Sequence, residues 1–378
     1  MKKIITLFLA IAMAGCSGDG DSGGNFADTE LTTMAASNVT PFTANITAES
    51  SRDIGNYSYG FVVGTNQNPS QNDGTSQWFS GNQVSETSFT AQIYYMLQPN
   101  TTYYARSVLS NGETTLYGNQ IQFTTSKIVE TGMVRNISSK RFTVTINVLP
   151  AGGQEVDDRG VVYSSSPNPT IDNEDISAGT GGAGQVEVAP YVGFHSVTPD
   201  TNYYLRSYVR VNGEYFYGNQ VTFRSAGYLG GSGSFVFFDK GETTNGWRYL
   251  EVAPNDVTHN NLVWGCSMFV SGLSNDLGAG LNNTGLITAA CSASGSAARL
   301  CENAVINNKG DWFLPSKDEI DYLYDLKVAG IFTISSTLYT SSQFSTTEAF
   351  GLTFSNGSYQ FLSKNQYTGA KAWPIRRF

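Results

Sequence analysis

The sequence predicts a multidomain protein in which two all-β sandwiches stand in tandem ahead of an α+β domain. Three observations carry that reading. Residues one hundred positions apart match each other through the middle of the chain. Within each copy, apolar and polar residues alternate with the period of a strand that buries one face. Beyond about residue 234 that alternation gives way to a capped helical pattern and then to short strands. Length agrees, because 378 residues exceed one ordinary core and suggest two or three domains.

The first segment, 1–15, reads as an export signal. Lys2 and Lys3 precede an apolar run, residues 4–13, that is too short to span a bilayer, and Ala14 and Gly15 lead to Cys16. This arrangement resembles the lipobox of bacterial lipoproteins, with Met13 where that family most often has Leu. The resemblance implies that the signal is removed, that Cys16 carries the lipid and that the chain is an outer membrane lipoprotein held by acyl chains. An ordinary signal peptide with a chance cysteine is the alternative. Residues 16–28 then form a lipidated flexible tether, since Ser17 to Gly24 are Ser, Gly and Asp with almost nothing to bury. Acidic residues just after the cysteine are similar to the export signal of surface lipoproteins in some Gram-negative bacteria, which implies display on the cell surface.

Composition narrows the function classes. Charged residues make up 14% and aromatics 13%, with 40 glycines, the balance of a turn-rich β protein. A formal charge of -9 with no Lys/Arg cluster argues against a nucleic-acid partner. Only His195 and His259 are present, and no Cys/His or Asp/Glu cluster has metal-ligand spacing, so neither a metal nor a cofactor is expected.

The tandem repeat spans 29–125 and 127–225. Phe42 falls on Phe142, Gly60 to Val63 on Gly160 to Tyr163, and Asn68-Pro69 on Asn168-Pro169. Pro99, Tyr103, Tyr104 and Arg106 fall on Pro199, Tyr203, Tyr204 and Arg206, and Tyr117, Gly118, Asn119, Gln120 and Phe123 on Tyr217, Gly218, Asn219, Gln220 and Phe223. Alternation such as Ala44 and Ile46 against Asn45 and Thr47, with turns at Asn111-Gly112 and Asn212-Gly213, predicts about seven short strands per copy. Leu97, Pro99, Thr101, Tyr103 and Arg106 resemble the L-x-P-x-T-x-Y-x-x-R stretch of fibronectin type III domains. That resemblance implies immunoglobulin-like sandwiches in which Tyr103 and Tyr203 plug a corner, and it carries no activity. Neither copy shows a nucleophile beside a base, so both read as spacers or passive interaction modules. Glu155, Asp157, Asp158, Asp172, Glu174 and Asp175 make the second copy locally acidic. Solvated loop charge explains them more simply than calcium, because a tight D-x-D-x-D spacing is missing.

A linker is expected at residues 227–233, rich in glycine, ahead of a distinct domain over 234–378. Residues 235–238 and 247–252 read as strands, and apolar residues from Leu286 to Ile306 as a helix broken near Ser294-Gly295. Ser316 with Glu319 three residues on is a capping box, so a helix is expected to start at Lys317. Short strands follow over 339–344, 349–354, 359–364 and 372–378. Trp312 and Phe313 read as core anchors.

Residues 237–241, Gly246 to Glu251, Trp264-Gly265, Ala297 to Cys301, Asp311 to Glu319 and Pro374 to Arg376 resemble the Lcl C-terminal domain, whose fold is related to C-type lectins. The resemblance implies a lectin-like head on a surface protein that binds extracellular glycan or matrix polymer. The Glu-Pro-Asn and Gln-Pro-Asp motifs of calcium-dependent lectins do not occur in this domain. Trp247, Tyr249, Trp264, Trp373 and Arg376 are the ligand-binding candidates, because aromatic faces stack on sugar rings and cations. Burial is the plainer role for any one tryptophan. Cys291 and Cys301 lie near the ends of the broken helical segment, and an exported chain meets oxidising conditions, so a disulfide is expected between them, contributing ~2–4 kcal/mol. Cys266 is left over, with a thiol nucleophile as the functional alternative. The expected function is therefore non-enzymatic adhesion or glycan binding by the head, with the sandwiches as spacer. A structural or tip subunit of a surface assembly is the second reading. A glycan-active enzyme using two of Asp239, Glu242, Glu251, Asp311 and Glu348 is the third.

Overall fold

The protein is described here by a computed structural model of residues 26–190, 196–259, 262–365 and 367–378. The expected signal 1–15, the expected lipid site Cys16, most of the expected tether and His195 lie outside the described residues. Within the stretch expected as tether, Phe26–Asp28 form a short 3-10 turn, and the Phe26 ring packs 4.9 Å from that of Tyr57. The described chain falls into two compact units that divide between Ser126 and Lys127.

In the first unit the strands are β1 (Leu31–Thr33), β2 (Ala44–Ser50), β3 (Ser58–Gly64), β4 (Gln77–Ser80), β5 (Asn82–Ser85), β6 (Ser88–Ile93), β7 (Thr102–Ser110), β8 (Thr115–Tyr117) and β9 (Ile121–Thr124). One sheet runs β1-β2-β6-β5 and the other β4-β3-β7-β8, with β9 also paired to β7. Inward residues of both sheets, among them Ala44, Ile46, Phe61, Phe89 and Leu109, form the core between them. Two features raise the count above seven. The final strand is interrupted between Tyr117 and Ile121, and Asn82–Ser85 add a short edge.

The second unit opens with β10 (Val129–Arg135), β11 (Thr143–Val148), β12 (Asp158–Ser164), β13 (Glu174–Ser177), β14 (Gly184–Val188), β15 (Asn202–Val211) and β16 (Glu214–Arg224). These are the expected seven, divided as β10-β11-β14 and β13-β12-β15-β16. Both repeats are two-sheet β-sandwiches, and their shared residues have assignable work. Tyr103 and Tyr203 are buried, and each hydroxyl accepts an N–H at 2.9 Å, from Gln98 and Thr198 respectively, so the corner reading holds. Asn119 accepts from the N–H of Thr33 and donates to its carbonyl, and Asn219 does the same to Thr131, closing first strand to last in each sandwich. Arg106 and Arg206 lie over the rings of Tyr117 and Tyr217, each 4.6 Å from the centroid. Gly118 is required because a Cβ there would come within 2.2 Å of the Ser107 hydroxyl.

The rest of the second unit is the α+β head: β17 (Tyr228–Leu229), β18 (Phe235–Thr244), β19 (Trp247–Val252), α1 (Gly280–Ala290), α2 (Ala297–Glu302), α3 (Lys317–Val328), β20 (Thr337–Gln343), β21 (Glu348–Thr353), β22 (Ser358–Ser363), β23 (Ala370–Lys371) and β24 (Ile375–Arg377). Its sheets run β17-β18-β19-β24 and β22-β21-β20-β23, antiparallel except for β20 with β23. Phe237, Phe313, Ile320, Leu323 and Ile375 share one core, and Trp264, Ile287, Ala297 and Cys301 a second. Segment 254–312 is pinned at both ends to the approach to the last strand: Ala253 donates to the Pro374 carbonyl, and Phe313 and Ile375 exchange backbone bonds at 2.8 and 3.0 Å. Among the described residues no helix is long and apolar enough to cross a membrane.

Several expectations change. The glycine-rich 227–233 stretch is not a linker, because Tyr228 and Leu229 pair with Val236 and Phe235 in a tight hairpin. Gly230 to Gly233 serve its turn, with Gly233 at φ 78. The broken helix starts earlier, at Gly280, and ends at Glu302, leaving Val305 exposed. The capped helix begins at Lys317 as predicted, with both capping-box bonds formed.

The disulfide joins Cys266 to Cys291, not Cys291 to Cys301. A parallel bridge between Val263 and Ser296 draws the 262–266 segment alongside the end of α1, and the Cα atoms of Cys266 and Cys291 stand 5.4 Å apart. Cys301 is turned into the core from α2, and burial pushes its thiol far above the ordinary value. A buried thiol of that kind is inert, so the nucleophile alternative loses its candidate.

The sandwich and head of the second unit are joined through backbone. Ile137 and Asp239 exchange two backbone bonds at 2.8 Å, Ala226 donates to Ser138, and Gly227 donates to Val236. Arg135 pairs with Glu242 at 2.8 Å, and Arg141 with Asp325 at 2.8 Å.

Candidate functional site

Four of the five sequence-derived ligand candidates have structural duties. Trp264 is fully buried; its indole donates to the Thr340 carbonyl at 2.7 Å, and the Lys364 ammonium covers its ring at 4.5 Å. That ammonium is itself fixed by the Met268 carbonyl and Gln343 Oε1, both at 2.9 Å, and burial lowers its pKa to about 8. Trp247 is 5% exposed and lies under Lys240. Trp373 donates to the Ala253 carbonyl and packs edge-on against Phe332. Arg376 bridges two carboxylates, Glu251 at 2.8 Å and Asp311 at 2.8 Å. Its guanidinium is satisfied inside the fold rather than offered outward.

The same contacts bear on the carboxylates considered for catalysis. Glu251 and Asp311 meet through Arg376, Glu251 being fully buried and bonded also to Ser232. Asp239 is held by Arg248 in a two-pronged pair at 2.7 and 2.9 Å, and Glu242 by Arg135. These carboxylates balance buried or half-buried cations. Among the described residues no three His, Cys, Asp or Glu side chains gather as metal ligands.

Tyr249, the fifth candidate, lines a groove of about 590 Å³ between the second sandwich and the head. One wall is sandwich: Met133 and Val134 from β10, and Val221 to Arg224 from β16. The other is head: Tyr228, Asp239, Arg248 and Tyr249. Arg224 lies over the Tyr228 ring at 3.9 Å, and Arg248 over the Tyr249 ring at 4.9 Å. Both guanidiniums are oriented by a carboxylate, Asp200 and Asp239, through Nε and Nη2. The Nη1 donors of both guanidiniums are left outside these carboxylate pairs. Burial raises the Tyr228 hydroxyl to about 12, and burial beside Asp239 raises that of Tyr249, so both remain protonated donors at neutral pH.

The groove exists because β18 forms backbone bonds with the sandwich. Asp239 makes those bonds through Ile137 and uses its carboxylate on Arg248 and on the Gly241 N–H. At Gly241 a Cβ would come within 2.4 Å of the Val134 carbonyl, so the close approach of the two walls depends on glycine there. Arg224, Tyr228 and Arg248 escaped the sequence reading as ligand contacts because they fall before, within and after the supposed linker, and Asp239 stood out in sequence only as a carboxylate. The available signal was an arginine followed closely by a tyrosine, twice over: Arg224 with Tyr228 and Arg248 with Tyr249.

No family model and no curated protein sequence matches this chain. Among solved structures, the chain is similar to a segment of two fibronectin type III domains from chicken tenascin at 14% identity, covering 51% of this chain and 97% of that one, with a TM-score of 0.22. It is also similar to the FN1–FN3 domains of chicken CNTN1 at 11% identity, covering 52% of this chain and 65% of that one, with a TM-score of 0.19.

Proposed function

We propose that this chain is a non-enzymatic, lipid-anchored cell-surface protein that binds an extracellular glycan or matrix polymer. On this reading the first sandwich is spacer, and the second sandwich and the lectin-like head together hold the ligand. The supporting observation is the convergence of two arginine–tyrosine stacks, Arg224–Tyr228 and Arg248–Tyr249, on one junction groove. Apolar ring surface with a few oriented donors is the chemistry that holds a hydroxyl-rich chain. The groove volume also falls in the range of ordinary ligand sites.

The test is a glycan array and matrix-polymer titration with the full chain, followed by Tyr249→Ala and Arg248→Ala. Each substitution is expected to weaken binding by roughly tenfold, the loss of one good contact of ~1–2 kcal/mol. Leu229→Ala, an exposed position outside the groove, should leave affinity unchanged. Absence of any glycan or polymer ligand, or binding indifferent to both groove substitutions, would overturn the reading.

A further inference from the structure

The head carries an exposed apolar surface that the groove does not use. Phe344 and Phe361 are 52% and 53% exposed, with ring centroids 4.0 Å apart. Phe350 lies 5.7 Å from Phe361, and Tyr359 continues the row on the same side of the sheet. Side chains of this size left in water mark a contact surface.

Beneath the patch runs β22, an edge strand paired on one side only, to β21. The N–H of Lys364 donates to the carbonyl of Thr347 directly opposite, which sets the phase of the ladder. Ser358, Gln360 and Leu362 therefore bond to β21, and Tyr359 and Phe361 turn their backbone groups to the open edge. The strand S-Y-Q-F-L-S is six residues long, carries no charge, proline or glycine, and pairs without a register shift. Other edges among the described strands are protected. β1, β4, β5, β8, β9, β13, β17, β23 and β24 have four residues or fewer. β14 carries Glu187, and β10 and β16 carry charges and shift register.

We infer that β22 is a self-association edge on which a second copy of this chain adds its own β22 antiparallel, joining two head sheets across a twofold axis. Two chains of formal charge -9 repel, and an uncharged strand is where a second copy can approach with no like charge directly opposite in the ladder. The strand is also its own complement. With the axis at Gln360, Tyr359 of one copy lies opposite Phe361 of the other, twice over, as bonded pairs. The exposed Phe361 ring of each copy then lies against the half-buried Tyr359 ring of the other, whose hydroxyl stays bonded to the Lys317 carbonyl and Asp321. Gln360 faces Gln360 of the second copy as a pair without hydrogen bonds, the closer kind, with Cα atoms about 4.5 Å apart.

That geometry makes position 360 a reporter. In the full chain, Gln360→Cys under mild oxidation should give a disulfide-linked dimer, whereas Thr346→Cys, exposed in the turn between β20 and β21, should stay monomeric. Adding Phe361→Lys to the Gln360→Cys chain should abolish the cross-link while near-ultraviolet circular dichroism stays unchanged. No cross-link through position 360, equal cross-linking through position 346, or a link to a different polypeptide would each overturn the inference.

Discussion

Arg141, in the second sandwich, donates from Nε to Oδ2 of Asp325 on α3 at 2.8 Å, and its guanidinium plane lies 4.5 Å from the centre of the Tyr322 ring. Burial raises the Asp325 carboxyl against the opposing pull of Arg141 and a hydrogen bond from the Ser138 side chain. Arg141→Ala should cost about 1–3 kcal/mol, the penalty for a buried carboxylate stripped of its cation. Faster proteolysis in the Gly230 to Gly233 turn should accompany it. Unchanged chemical denaturation together with unchanged cleavage there would show that the backbone bridge alone holds the junction.

The Cys266–Cys291 pairing predicts a specific peptide map. Digestion without reduction should release those two cysteines in one linked fragment, and Cys301 should react with an alkylating reagent only after unfolding. Cys266→Ser should lower stability by about 2–4 kcal/mol. A linked fragment containing Cys301 would contradict the arrangement.

Glu319 gives the head a pH dependence of definite sign. It is fully buried at the start of α3, and burial raises its carboxyl from 4.5 to about 7 against the N–H groups of Ser316, Gly280 and Gly278. The folded protein thus holds this proton more tightly than the unfolded chain. Its contribution is complete below pH about 4.5 and is lost as pH rises through about 7. Glu319→Gln should remove ~3 kcal/mol of that slope between those limits. Parallel stability curves for the two proteins would refute the assignment.

Asn219 offers a test of what the repeated motif does. Its amide satisfies both backbone groups of Thr131, and Asn219→Ala should cost about 1–2 kcal/mol in the second unit. Asn219→Asp keeps the acceptor and loses the donor, so it should fall between. Asn119→Ala should act in the same way on the first unit, measured by its own unfolding transition.

Arg376 anchors a buried network, with Glu251 fully buried on one side and Asp311 half exposed on the other. Arg376→Met strands Glu251 and should destabilise the head by about 3–5 kcal/mol. Arg376→Met combined with Glu251→Gln should recover much of that loss. Equal destabilisation in the single and double variants would argue that packing, not charge, dominates.

Much of the fold was legible because its signals are local. Strand alternation and the Ser316–Glu319 cap depend on neighbours in sequence, the one-hundred-residue offset needs only the chain set against itself, and each has its structural counterpart. The cysteine pairing was not legible, since it depends on a parallel bridge between Val263 and Ser296 that no local pattern announces. The strand at Tyr228 was hidden by glycines that in fact serve the adjoining turn. Aromatic type pointed to Trp264 and Trp247 as ligand contacts, yet size drives such rings inward when an acceptor such as the Thr340 carbonyl waits there. The groove needed two walls from separate domains, and one sequence gives no measure of how they face.

The pinning of segment 254–312 at Ala253 and at Phe313 has an evolutionary corollary. Both ends of that excursion are fastened to the same C-terminal stretch, so its exposed turns can change length while the mounting, and the Trp264–Ile287 packing and Cys266–Cys291 bridge inside it, stay in register. Diversification in related chains should therefore concentrate in those turns, with the arginine-lined seam retained as a fixed chassis.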